Sequence, residues 1–110
     1  MTNTTTNTKV LNVKNIIVAN TLMEKLIDFI RENKECFTGE INKETHEYVM
    51  ENDNVCVQAR SIWTTIALLT DISPDTYAGD WKMYELWEAC GLEKRIDSND
   101  FDLFMWGELC

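Results

Sequence analysis

The chain has little of what breaks or crosslinks a backbone. One proline and four glycines among 110 residues leave few sites for tight turns, which argues against a hairpin-rich β architecture. Histidine occurs once, at His46, so no pair of imidazoles can grip a metal. Cys36, Cys56, Cys90 and Cys110 stand twenty or more residues apart. Zinc ligands come in close pairs because a short loop limits the entropy lost on closing the chelate, so the cysteines read as reduced thiols. Cys56 and Cys90 are expected in the core, and Cys110, at the chain end, is the thiol placed to crosslink two copies. The longest apolar runs, Ile16–Ala19 and Ile66–Leu69, fall far short of the roughly 20 residues of a membrane span. The first ten residues lack the basic start and apolar run of a secretory signal, which leads us to expect a cytoplasmic protein. Basic residues are scarce too. Ten Lys/Arg against nineteen Asp/Glu leave a net charge of -9 and a pI near 4.4, which repels phosphate backbones and makes a basic protein the expected partner.

What is present is a helical pattern in a chain that is 45% hydrophobic, enough for one packed core. Residues 1–9 are polar and are expected to form a disordered arm, leaving 10–110 as a single domain. In the segment 10–19, Val10, Val13, Ile16 and Ile17 can line a helix, while the β-branched cluster Ile16-Ile17-Val18 leaves a short strand open. Thr21 and Glu24 have capping-box spacing, and Leu22, Leu26, Phe29 and Ile30 then recur at helical intervals to about Asn33. With 16–19 helical as well, Ile16, Ala19, Met23, Leu26 and Ile30 would form a seam for a partner helix or a twin subunit. A turn is expected around Thr38-Gly39-Glu40, then a short helix capped by Thr45 through His46, Tyr48, Val49 and Met50.

Asp53-Asn54 caps the clearest helix, with Val55, Ala59, Ile62, Trp63, Ile66 and Leu69 on one stripe and Arg60 its one charged side chain. It should be the central, most buried element. Ser73-Pro74 starts a short turn. Gly79-Asp80 opens a helix Trp81–Cys90, with Met83, Tyr84, Trp87 and Cys90 on its stripe and Gly91 at its left-handed stop. Asp97-Ser98 caps a last helix from Asn99 through Phe101, Phe104, Met105 and Trp106, with Asp100 and Asp102 at the positive end of its dipole. The expected fold is mainly α, a compact bundle of about four to five helices.

Charge is unevenly spread. Residues 1–31 are net +2, residues 32–53 net -5, residues 54–70 net +1 and residues 71–110 net -7. Two acidic blocks thus flank a nearly neutral helix. The second block also holds Trp81, Trp87 and Trp106, with Tyr77, Tyr84, Phe101 and Phe104. An acidic surface can serve solubility alone. Carboxylates set around aromatic anchors can also imitate the phosphates of a nucleic acid and dock in a basic cleft. The candidate contact residues are Asp75, Asp80, Trp81, Glu85, Glu88, Asp97, Asp100 and Asp102, and Trp81, beside Asp80 at a helix start, is the expected exposed anchor.

Catalytic and metal motifs fail on their spacing. His46-Glu47 begins an H-E-x-x-H pattern, but Met50 stands where the second histidine is needed. Cys36 or Cys56 with His46 lacks a third orienting group. Asp97–Asp102 with Glu108 evokes a calcium loop, yet Phe101 and Asp102 occupy positions for a ligand and a glycine. No phosphate-binding glycine loop occurs. No cofactor, no metal and no enzymatic activity are therefore expected. In size, charge and composition the chain resembles phage-encoded inhibitors of host defence nucleases such as anti-CRISPR proteins. It is similar in the same respects to immunity proteins that neutralise basic nuclease toxins. The resemblance implies a stoichiometric inhibitor that covers a nucleic-acid-handling surface. A homodimeric structural or regulatory subunit is the second reading, and a small cysteine or histidine enzyme the third.

Overall fold

The computed structural model describes residues 2–45, 48–50 and 53–107. Four helices dominate them: α1 (Thr2–Glu32), α2 (Asp53–Thr70), α3 (Tyr77–Ala89) and α4 (Ser98–Met105). A single 3-10 turn, Lys34–Cys36, leads from α1 into an antiparallel ribbon of β1 (Phe37–Ile41) and β2 (Tyr48–Met50). The expected mainly helical bundle is the fold.

α1 settles the alternative at 10–19 as helix. The β-branched cluster is carried inside it, because adding residues to an existing helix costs far less than starting a new one. For the same reason the backbone is helical from Thr2, where an arm over 1–9 was expected. Thr21 does not cap a helix start. Its hydroxyl donates to the Ile17 carbonyl one turn back, 3.2 Å away, as a mid-helix threonine does. Leu26 and Ile30 are fully buried, while Lys25, Asp28, Arg31 and Glu32 face solvent.

The segment 37–50 departs most from the sequence reading. Where a turn at 38–40 and a helix to Met50 were expected, β1 runs through Thr38–Glu40 and β2 occupies Tyr48–Met50, with Phe37 opposite Met50 and Ile41 opposite Tyr48. The connecting turn is set by Asn42, whose side-chain oxygen accepts from the amides of Glu44 (2.9 Å) and Thr45 (3.2 Å). An asparagine that folds its own backbone this way competes with helix initiation, and pairing with β1 satisfies the Tyr48–Met50 backbone instead. His46 lies outside the described residues.

α2 follows its predicted stripe. Val55, Ala59, Trp63 and Ile66 are buried, and Cys56 and Ala67 join them. Its other face is not buried: Val57 and Leu68 are exposed there, and Ser61 and Thr65 return their hydroxyls to carbonyls four residues back. Arg60, the charged exception, spans to the last helix. Its Nε donates to the Phe104 carbonyl at 2.7 Å, and its guanidinium lies 4.6 Å from the centre of the Phe104 ring.

The core is completed by Phe37, which meets Phe104 edge-on (5.5 Å) and Phe101 (6.5 Å), together with Met83, Leu86, Cys90 and Leu92. Trp63 packs edge to face on Trp106 at 5.3 Å. Gly91 adopts the expected left-handed conformation (φ 69°) and stops α3.

Candidate functional site

The candidate contact residues sit on α3, α4 and the loops before them. α3 begins four residues before the Trp81 predicted from sequence, because Thr76 is its cap: the Thr76 hydroxyl oxygen accepts from Gly79 N at 3.1 Å and donates to Ser73 O at 2.9 Å. A Cβ at Gly79 would collide with that same Ser73 carbonyl. Glycine is therefore what lets the first turn of α3 lie against the 73–76 turn, rather than a helix-opening signal.

The longer helix has two opposed stripes. Gly79, Met83, Leu86 and Cys90 face the core. Tyr77, Trp81 and Tyr84, at steps of four and three, face solvent with 80%, 56% and 51% of their surface exposed, and Glu88 continues the line. Tyr84, placed by the sequence on one stripe with Met83, Trp87 and Cys90, does not follow Met83 and Cys90 into the core. It is carried instead on the outer edge of Trp87, ring centres 5.4 Å apart, while Trp87 turns inward and donates to the Ile96 carbonyl at 2.8 Å. Leu86 takes the core position that the sequence stripe omitted.

Trp81 is held in place. Its indole N–H donates to Glu85 Oε1 at 2.7 Å, and the other carboxylate oxygen of Glu85 lies 3.4 Å from Lys82 Nζ. Such a fastened side chain loses less rotamer freedom when a partner covers it. Asp80 points to the α4 side, where it lines a cleft of about 320 Å³ with Tyr84, Asn99 and Asp102. Asp97 caps α4 as expected, accepting from Asp100 N at 2.8 Å. Partial burial pushes the Asp100 carboxyl above its usual range, and the charge of Asp97 and a hydrogen bond with its carboxyl add to the rise. Asp75 is exposed in the turn before α3.

The structure thus gathers Trp81 with Glu85 and Glu88 on one helix, and Asp80 with Asp102 across one cleft. Asp97 and Asp100 form a separate cap pair, and Asp75 stands apart in sequence, in the turn before α3. Sequence reasoning counted Tyr77 and Tyr84 among the aromatics of the acidic block but not among the contact residues. Their spacing with Trp81 was the available signal, hidden by starting the helix too late.

The thiols offer a different chemistry. Cys36 is half-buried, whereas Cys56 and Cys90 are buried, and none of the three forms a disulfide. Burial pushes the Cys90 thiol up to about 12 against the opposing pull of Arg31 and Lys34. A thiol kept protonated in this way is a poor nucleophile. Cys110 lies outside the described residues. Among the described residues no three His, Cys, Asp or Glu side chains converge to hold a metal ion, and no helix is long and apolar enough to cross a membrane. No protein-family model matches the chain, and neither do the curated proteins or the solved structures.

Proposed function

We propose that this protein is a non-enzymatic acidic binder that inhibits a basic, nucleic-acid-handling protein by covering its working surface. The observation that carries the reading is the second stripe of α3. Three aromatic side chains on one helix face solvent, directly opposite a core stripe, with Glu85, Glu88 and Asp80 beside them. Exposing that much ring surface costs solubility and contributes nothing to the core, whereas aromatic anchors ringed by polar groups are what protein interfaces use. The excess of carboxylates supplies long-range attraction to a cationic cleft and repels nucleic acid itself. Encounter is steered by charge. Docking then buries Trp81, with Tyr77 and Tyr84 on either side. A cytoplasmic setting and a phage anti-defence or immunity role fit the same reading.

The test is affinity capture from cells that make the protein, scored for basic nucleic-acid-binding proteins whose activity the purified chain inhibits. Trp81→Ala should weaken that inhibition by about 2 kcal/mol, some thirtyfold, as a truncated anchor does. The triple reversal Asp80→Lys, Glu85→Lys, Glu88→Lys should abolish both the inhibition and its dependence on salt. Inhibition indifferent to all four changes would sink the proposal.

A further inference from the structure

α1 is longer than the core it packs on. Thirty-one residues at 1.5 Å each make a rod of roughly 46 Å, whereas among its described side chains the first buried one is Ala19. Ahead of it Val13, Ile16, Ile17 and Val18 stand between 49% and 62% exposed. Val13, Ile16, Asn20, Met23 and Ile27 follow one another at alternating steps of three and four, which places them along a single face of the helix. At its far end this face becomes one wall of a groove of about 470 Å³. Met23 and Ile27 meet Ile66, Ile72 and Leu86 in its floor, with Glu24, Lys82 and Glu85 at the rim. One chain therefore carries both an exposed apolar ridge and an apolar groove, in line on one helix.

We propose that two copies pair antiparallel through α1, each laying its Val13–Ile17 ridge into the groove of the other. Charge selects this occupant and this direction. Residues 1–23 contain Lys9 and Lys14 and no acid, net +2, so of the total of -9 residues 24–110 carry -11. Antiparallel pairing sets each basic half against the acidic body of its twin. Parallel pairing would set Lys14 beside Lys14 and leave both grooves open. A two-fold axis makes every favourable contact twice, which a self-complementary ridge and groove require. Asn20, midway along the strip, is a polar residue at a seam position, the device that fixes register in paired helices. A lipid surface would cover the ridge but not the groove, and anionic headgroups would repel the acidic body. The aromatic stripe of α3, Tyr77, Trp81 and Tyr84, does not line the groove, and of the proposed contact residues only Glu85 belongs to both surfaces, so Ile16→Asp tests this pairing and Trp81→Ala tests inhibition separately.

The experiment is sedimentation velocity with light scattering on the full chain. At about 50 µM it should run at twice its 12.8 kDa mass. Ile16→Asp, at a position half-exposed in the single chain, should keep the helical circular dichroism and raise the dimer dissociation constant about tenfold or more. Leu68→Asp, exposed on α2 away from the strip, and Trp81→Ala should leave the dimer intact. A zero-length amine-to-carboxylate crosslink should join Lys14 of one copy to Glu24 of the other, since within one helix these residues lie about 15 Å apart and cannot meet. The proposal is overturned by a chain that stays monomeric at about 500 µM, by a dimer indifferent to Ile16→Asp, or by absence of that crosslink. Flotation of a monomeric chain with phosphatidylserine vesicles, lost in Ile16→Asp, would reassign the ridge to a membrane.

Discussion

Cys90 shows how burial sets the chemistry of one side chain. Arg31 and Lys34 favour its thiolate, but the loss of solvent around a wholly buried sulfur outweighs them and the thiol rises from 9.0 to about 12. The unfolded chain ionises this group near pH 9 and the folded chain does not. The folded state therefore holds the extra proton between those values, and stability is lost as pH rises from about 9 towards 12. Urea unfolding at a series of pH values should show a slope approaching about 1.4 kcal/mol per pH unit above pH 9, flattened in Cys90→Ala. At this scale some features were legible from local chemistry alone, such as the Asp97 cap and the left-handed stop at Gly91. Others were not. Asp71 takes a left-handed conformation (φ 57°) without being glycine, because Ile72 N must reach back to the Ala67 carbonyl (3.0 Å) to close α2.

At the scale of elements, Arg60 ties α2 to α4. The sequence marks it only as the one charge on a neutral helix. In the fold it supplies a donor to a carbonyl at the C-terminal end of α4 and a cation over the Phe104 ring, two contacts that favour positive charge there. Arg60→Ala should lower stability by about 2 kcal/mol, read as a shift of the denaturation midpoint. Arg60→Lys should recover less than half of it, since one ammonium cannot make the Nε bond and cover the ring together. The helices with strong stripes, α2 and α4, were legible because their apolar spacing, and for α4 its cap, is local. The ribbon of β1 and β2 was not, because each strand is specified by pairing with the other across the Asn42 turn. The bounds of α3 were misread for a similar reason: its start depends on how Thr76 and Gly79 meet the Ser73 turn.

Over the whole molecule, shape and charge go together. The radius of gyration of 15.4 Å exceeds the roughly 13 Å of a spherical domain of this length, and the long axis of 53 Å against 26 and 22 Å follows α1. Recorded ion pairs such as Glu35–Arg95 (3.2 Å) and Lys82–Glu85 are exposed and weakly stabilising. They offset little of the repulsion among nineteen carboxylates. Raising NaCl from about 20 to 200 mM should therefore increase Tm by a few degrees, as screening relieves self-repulsion more than it weakens those pairs. A falling Tm would show that attractive pairs dominate.

The sequence by itself determined the class of fold, four of the six positions of the α2 core stripe, the cap of α4, the exposure of Trp81 and the segregation of charge. Each rests on spacing along one helix or on composition, which needs no knowledge of neighbours. Only the tertiary structure decided that Tyr84 faces out while Leu86 faces in, that Asp80 and Asp102 share a cleft, and that the seam of α1 divides at Ala19. The part of that seam from Ala19 onward packs largely within the chain and the part before it is left exposed. Those outcomes depend on which elements come to lie against one another, and periodicity marks an apolar face without naming what covers it.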